Sequence, residues 1–237
     1  MHSNLIQVDW TTHPWVVHGF STRFGGIADP WPTITLKQTH SSVIHSIASR
    51  DLGPIGSVGG LYGEGDGLIT AQAGILLGIQ TADCVPVLLA DLRTRVVGAF
   101  HAGWRGTAAG IVGQGVLRMS ADFGSDPSDL VAAIGPSIGP CCYAVGNEVR
   151  SAFTQSFADA RALFHEVEKN SANPRLDLWE ANRRQLIAAG LPTEQISVVA
   201  QCTACTFGPD GQRRFFSYRS EAGVTGRMMS FIGVREK

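Results

Sequence analysis

The feature that most constrains this chain is a series of short apolar, β-branched runs, each closed by turn residues. Between Gly67 and Phe100 they read Gly67–Thr70 (GLIT), Ile75–Gln80 (ILLGIQ), Val85–Ala90 (VPVLLA) and Val96–Phe100 (VVGAF). Runs this short, bounded by Gly, Asp and Gln, have the pattern of buried strands. Ile6–Val8, Val16–Phe20, Thr33–Leu36, Val43–Ile47, Ile196–Ala200, Phe215–Tyr218 and Met228–Val234 extend the strand set, and Gly53–Gly65 reads as a glycine-rich loop. Glycine supplies 28 of 237 residues, about 12% against a usual ~7%. That excess implies tight loops and close backbone approaches rather than a helical bundle.

Helices punctuate these strands. Thr107 is placed to cap a helix running to about Ser120, in which Gly110, Gly113 and Gly115 imply close packing. Val145, Val149, Ala152, Phe153 and Phe157 follow helical spacing. Asp177 followed by Glu180 resembles a capping box, opening a helix that Gly190 and Pro192 close. Strands outnumber helices and do not alternate with them regularly. The fold class expected is therefore α+β, a layered arrangement of mixed β-sheets with flanking helices, rather than a doubly wound one. With no linker and no internal repeat, residues 1–237 read as one domain.

Hydrophobic residues make up 44% of the chain and charged residues 16%, enough for a sizeable core and contrary to disorder. The formal net charge is −1 and no Lys/Arg block stands out, so no nucleic-acid partner is expected. Apolar stretches are broken well before the ~18 residues of a membrane span. The stretch MHSNLIQVDW lacks the pattern of a signal peptide, and five cysteines is an odd number. Both favour reduced thiols and a cytoplasmic setting.

Three residues stand where a scaffold aims side chains into a cleft. Cys84 lies between two apolar runs, His101 follows directly on Val96–Phe100, and His40 follows a Lys-Gln-Thr turn. Two imidazoles and a thiolate make the three ligands of an open, catalytic zinc site. The same groups also make a thiol with a base beside it, the arrangement of a nucleophilic cysteine. Their separations of 44 and 17 residues match no short metal motif.

The segment His101-Ala-Gly-Trp-Arg-Gly-Thr107 has two readings. Backbone amides of a helix starting near Thr107, with Arg105 beside them, would form an anion site. Alternatively it is an ordinary strand-to-helix loop with Trp104 in the core. Adjacent Cys141 and Cys142 cannot easily share a disulfide and lack a second pair for a zinc ribbon. Cys202-Thr-Ala-Cys205 has CxxC spacing without a second CxxC, so both pairs are assigned to packing. No GxxxxGK[ST], GxGxxG or HExxH occurs.

Taken together, ordered motifs span nearly the whole chain. They are His18-Gly-Phe-Ser-Thr-Arg23-Phe-Gly-Gly26, Lys37-Gln-Thr-His40, Asp66-Gly-Leu-Ile-Thr70 and Thr81-Ala-Asp-Cys84-Val-Pro-Val. There follow His101-Ala-Gly-Trp-Arg-Gly106, Ile134-Gly-Pro-Ser-Ile-Gly-Pro-Cys-Cys-Tyr143, Leu176-Asp-Leu178 with Ala181-Asn182, Cys202-Thr203, and Phe215-Phe-Ser-Tyr-Arg219 with Thr225-Gly-Arg227. By these the chain resembles the YfiH-like family, labelled both multicopper polyphenol oxidase (laccase-like) and purine nucleoside phosphorylase. The resemblance implies a cysteine-hydrolase-type fold of mixed sheets, and a metal and catalytic centre at His40, Cys84 and His101. It implies zinc as cofactor, with copper as the alternative metal. The implied substrates are small molecules: purine nucleosides (adenosine, inosine, guanosine, methylthioadenosine) cleaved with phosphate, and adenosine deaminated.

In the phosphorylase reading Arg105 with the helix start at Thr107 cradles phosphate, Arg23 or Arg219 assists, and Asp83 or a histidine protonates the purine. Some members are linked instead to hydrolytic editing of peptidoglycan precursors, with Cys84 as nucleophile. A non-catalytic protein with a structural metal, and a multicopper oxidase, which needs many His ligands, are the remaining readings. One departure stands out: about ten residues separate Gly26 from Lys37, where the family carries a longer segment.

Overall fold

Alternation along the segment Val85–Asp91 explains the architecture. Val85, Val87 and Leu89 point into one apolar cluster, Leu88 and Ala90 into another, and all five are fully buried. A strand covered on both faces needs an unbroken apolar run, which is what VPVLLA supplies.

The computed structural model describes residues 4–10, 12–25, 31–48, 60–165 and 173–236. The strands are β1 (Leu5–Ile6), β2 (Val16–Ser21), β3 (Thr33–Lys37), β4 (Ile44–Ile47), β5 (Gly60–Glu64), β6 (Gly67–Thr70), β7 (Leu76–Thr81), β8 (Val85–Asp91), β9 (Val97–Ala102), β10 (Leu130–Ile134), β11 (Phe164–His165), β12 (Arg175–Leu176), β13 (Ile196–Val198) and β14 (Met228–Val234). The helices are α1 (Trp104–Ala108), α2 (Ile111–Phe123), α3 (Asn147–Ser156) and α4 (Leu178–Ala188). The strands form two mixed six-stranded sheets, ordered β1-β2-β14-β7-β3-β5 and β13-β10-β8-β9-β6-β4, and a separate two-stranded β11-β12 pair.

Three layers result. Phe20, Ile34, Leu77, Ile79 and Ile232 of the first sheet meet Leu68, Leu88, Val97 and Ala133 of the second. The second sheet turns its other face, with Val87, Leu89, Phe100 and Ile134, to Val112, Val116 and Met119 of α2, Phe153 of α3 and Leu186 of α4. This is the α+β layering of mixed sheets with few helices. No helix among the described residues is long and apolar enough to cross a membrane.

Several local expectations need correction. Thr107 caps nothing: α1 starts at Trp104 with Gly103 as its N-cap, and Thr107 is buried inside it. Gly110, at φ 80°, then breaks the helix and starts α2. A left-handed turn of this kind suits glycine, and the periodicity that continues through it hid the break. Leu130–Ile134 is a central strand that the apolar-run reading passed over. Phe215–Tyr218 is loop and turn despite its aromatics, because Phe215 and Ser217 are buried by loop packing rather than by a ladder. The expected loop Gly53–Gly65 ends as strand β5, paired in parallel with β3, while its residues 53–59 lie outside those described. So do residues 26–30 of the shortened stretch before Lys37.

The capping expectation at Asp177 finds a partial counterpart. Its carboxylate accepts from the Glu180 amide at 2.9 Å, but the Glu180 carboxylate turns to Arg183 and Arg184 instead of reaching back.

Candidate active site

Three connections cross from the first sheet to the second at one end of the sandwich, and each carries a chemical residue over the gap. Lys37 ends β3 in the first sheet and Ile44 begins β4 in the second, with His40 between them. The β5-to-β6 crossing carries Asp66, and the β7-to-β8 crossing carries Asp83 and Cys84. His101 arrives from β9, within the strand rather than after it, paired with Pro86 across the β8–β9 ladder. Chains that switch sheets bend sharply at the corner. His40 (φ 60°) and Asp83 (φ 91°) accordingly sit in the left-handed region, uncommon for residues with side chains and a form of strain that clusters at functional sites.

His40, Cys84 and His101 bring one ligand atom each to within 4.8 Å of one another. The two imidazole rings meet edge to face, centroids 4.9 Å apart. Gly103 forms the floor, where an added Cβ would stand 2.9 Å from Cys84 Sγ and 3.0 Å from His40 Cδ2. Behind them lies Asp66, fully buried. Its Oδ1 pairs with His101 Nδ1 at 2.7 Å and accepts from the His40 amide at 3.1 Å. Its Oδ2 accepts from the Ser41 amide at 2.6 Å and the Ser41 hydroxyl at 2.7 Å. One carboxylate thus sets the His101 ring and folds the loop that presents His40.

Sequence reasoning gave Asp66 no role. The signal was available in its place at the head of the apolar run GLIT, because a carboxylate entering a core demands partners.

The electrostatics follow from this packing. Burial works against the charge on Asp66, but bonds from His101 and Ser41 prevail and hold its carboxyl well below the usual range. Burial likewise opposes ionisation of Cys84, and hydrogen bonds from His101 and His40 bring the thiol down to about 6. For His101 burial disfavours the cation, yet Asp66 and Cys84 raise it to about 9.

The donor set fits a single metal ion of borderline softness. Two imidazoles and a thiolate converge, the carboxylate behind His101 frees its Nε2 for coordination, and three protein donors leave an open position. Several coppers are not accommodated: among the described residues this is the one donor group that contains histidine.

Above these three side chains opens a cleft of about 720 Å³. Trp104, Tyr143 and Tyr218 line it with aromatic rings, and Arg105, Arg219 and Arg227 line it with positive charge. Arg105 lies over the Trp104 ring at 4.1 Å and reaches Glu148 at 3.2 Å. Arg219 binds the Ala144 carbonyl at 3.0 Å and lies over Tyr143. Arg227, from the Thr225-Gly-Arg motif, joins this rim.

Three expected contributors are engaged elsewhere. Thr107 is fully buried, its hydroxyl on the Ala102 carbonyl and Asn182, so it presents nothing to an anion. Arg23 pairs with Glu221 at 2.9 Å, lies over Phe216, and does not line the cleft. Asp83 borders the cleft, but both its oxygens are occupied, by the Thr203 hydroxyl at 2.6 Å and the Arg219 amide at 2.7 Å. Both bonds hold its carboxylate in the wall of the cleft.

The profile of the family described as multi-copper polyphenol oxidoreductase laccase matches residues 20–235. The chain belongs to this family. Within the family, the chain is 40% identical over 205 residues to purine nucleoside phosphorylase YlmD of Geobacillus stearothermophilus, covering 86% of this chain and 73% of that one. It is 36% identical over 174 residues to adenosine deaminase RL5 of an unknown prokaryotic organism, covering 73% and 62%. The crystal structure of the Geobacillus YlmD superposes with a TM-score of 0.83 at 32% identity, over 100% of this chain and 98% of that one. The family resemblance read from the motifs is thereby established, and with it the enzymatic nature of the protein.

Proposed function

We propose that this enzyme is a purine nucleoside phosphorylase, acting on adenosine, inosine, guanosine or methylthioadenosine with phosphate as second substrate. The observation that carries the reading is the convergence of His40, Cys84 and Asp66-anchored His101 beneath a cleft with an arginine rim and aromatic walls. Similarity to relatives named for that activity supports it.

In the reaction an oxygen of phosphate bonds to the ribose anomeric carbon as the carbon–nitrogen bond breaks. The bonding pair leaves on the purine, which takes up a proton. Each residue has a task suited to its place. Arg105, Arg219 and Arg227 hold the phosphate and align it for attack. Trp104, Tyr143 and Tyr218 offer flat apolar surface to the base. Where no metal is bound, His40, exposed in the cleft, delivers the proton to the departing purine; His40 cannot do so while it ligates a metal. Asp66 keeps His101 in one orientation and one tautomer. These three donors, His40, Cys84 and His101, would hold a zinc ion, which would supply Lewis acidity to the site.

That last chemistry favours a second activity, deamination of adenosine, for which the three-donor open geometry and the likeness to adenosine deaminase RL5 are the supporting observations. The depressed Cys84 thiol is the observation on the side of a cysteine hydrolase acting on a peptidoglycan precursor.

Incubation of the purified enzyme with adenosine, inosine and methylthioadenosine, with and without phosphate, separates these readings. Free base formed only with phosphate, and lost in Cys84→Ala, is the expected result. Inosine appearing from adenosine without phosphate adds the deaminase. No turnover of any nucleoside, with an acyl adduct trapped on Cys84, overturns the phosphorylase in favour of the hydrolase.

A further inference from the structure

The two cysteine pairs that stand unmatched in the sequence meet in space. The reason lies in the sheet: β10 and β13 are parallel neighbours, Ala132 opposite Ile196 and Ile134 opposite Val198. The chains leaving their ends therefore run out side by side. Ser137 continues the ladder against Cys202, its amide donating to the Gln201 carbonyl at 3.3 Å while Thr203 donates back at 3.0 Å. Cys141 and Cys142 follow on one loop, Cys202 and Cys205 on the other.

All four sulfurs lie within 4.8 Å of one another. Cys141 and Cys205 are 3.5 Å apart, well beyond the ~2.05 Å of a disulfide, and all four are free thiols. Four sulfurs at Zn–S bonds of about 2.3 Å in a tetrahedron stand ~3.8 Å apart, so this spacing suits one metal ion. The Gly139 amide donates to Cys202 Sγ at 3.2 Å, the kind of outer bond that orients a thiolate ligand. Aspartate, glutamate and histidine take no part in the group, which selects a thiophilic ion over magnesium or calcium.

We propose that Cys141, Cys142, Cys202 and Cys205 form a second metal site, a closed tetrathiolate centre for zinc, separate from His40, Cys84 and His101. Four protein donors leave no position for water or substrate, so the site is structural. What it braces is visible in the bonds around it. Thr203, inside the Cys202–Cys205 turn, holds the Asp83 carboxylate, and the Ile138 amide holds the Asp83 carbonyl at 2.9 Å. Asp83 is the strained residue immediately before Cys84, so an ion joining the two loops stiffens the corner that presents the catalytic-centre cysteine.

The test removes the other centre first. A His40→Ala, Cys84→Ala double variant, purified under reducing conditions, is stripped and reloaded with zinc or with cobalt(II). The expected result is one metal ion per chain by mass spectrometry, together with the intense visible and sulfur-to-metal bands of tetrahedral tetrathiolate cobalt. Adding Cys205→Ser removes the ion and those bands. Because the spectrum is read on the double variant, the result does not depend on the triple variant folding. Failure of the reduced double variant to take up zinc, or a cobalt spectrum without tetrathiolate character, overturns the proposal. So does an unreduced mass lower by two hydrogens per cysteine pair combined with no metal uptake after reduction. None of these readouts involves nucleoside turnover.

Discussion

From behind the cleft, the Asp66 carboxylate holds both the His101 ring and the loop that presents His40. Loss of one charge at this position, in Asp66→Asn, leaves the shape but keeps one acceptor oxygen for two sets of donors, so an NH2 group must face either His101 Nδ1 or the Ser41 donors. Metal affinity and kcat/KM are expected to fall about 10–100-fold, as for other carboxylates behind ligand histidines. Titration with zinc alongside steady-state kinetics measures both, and wild-type values would remove Asp66 from the site's machinery.

His18 makes a different prediction at the same scale. It is buried against Trp10, ring centroids 4.4 Å apart. Neither ring nitrogen makes a well-formed hydrogen bond among the described residues. Burial pulls its pKa from 6.5 to about 4, only partly countered by the Val8 backbone. The folded state thus refuses a proton that the unfolded chain accepts between those values. Stability is present in full above about 6.5 and is lost as the pH falls toward 4, by up to about 3 kcal/mol. Urea unfolding between pH 7 and pH 4 should show this slope, and His18→Phe should flatten it.

Two glycines show how elements limit substitution. Gly103 follows β9 and caps α1 directly beneath Cys84, so Gly103→Ala places a methyl group 2.9 Å from Cys84 Sγ. Displacing catalytic groups by such amounts costs on the order of 10²-fold in rate. Kinetics and a melting curve on the same variant are the check, the expected outcome being lost activity with the fold retained. Gly115 lets α2 lie against the sheet, its added Cβ meeting the Phe100 ring at 2.5 Å. Gly115→Ala should destabilise by about 1–3 kcal/mol through overpacking, read from denaturant midpoints. Close packing at Gly115 was legible in the sequence, as a glycine inside a helical pattern. Which glycine faced which ring depended on the break at Gly110, and local periodicity does not report that break.

At the scale of the whole molecule, stability rests on the sheet shared by two cores. Leu88, fully buried, points to the inter-sheet core while its neighbours Val87 and Leu89 point to the helices. Leu88→Ala should cost about 2–5 kcal/mol, whereas Val224→Ala, at a residue 88% exposed, should change stability by no more than about 0.5 kcal/mol. Chemical denaturation of the pair checks the contrast.

The amino-acid sequence by itself determined the strands β6 to β9, because strands buried on both faces are apolar at most positions. It also determined the helix after Asp177, through a cap and a glycine stop that act locally, and it carried the family motifs with His40, Cys84 and His101. What only the tertiary structure decided is which strand joins which sheet. That assignment brings three corners together, turns Asp66 into the anchor of the site, occupies Asp83, Thr107 and Arg23 with other partners, and sets two distant cysteine pairs side by side. Each of these is a contact between residues far apart in the chain, and neither periodicity nor spacing encodes such contacts.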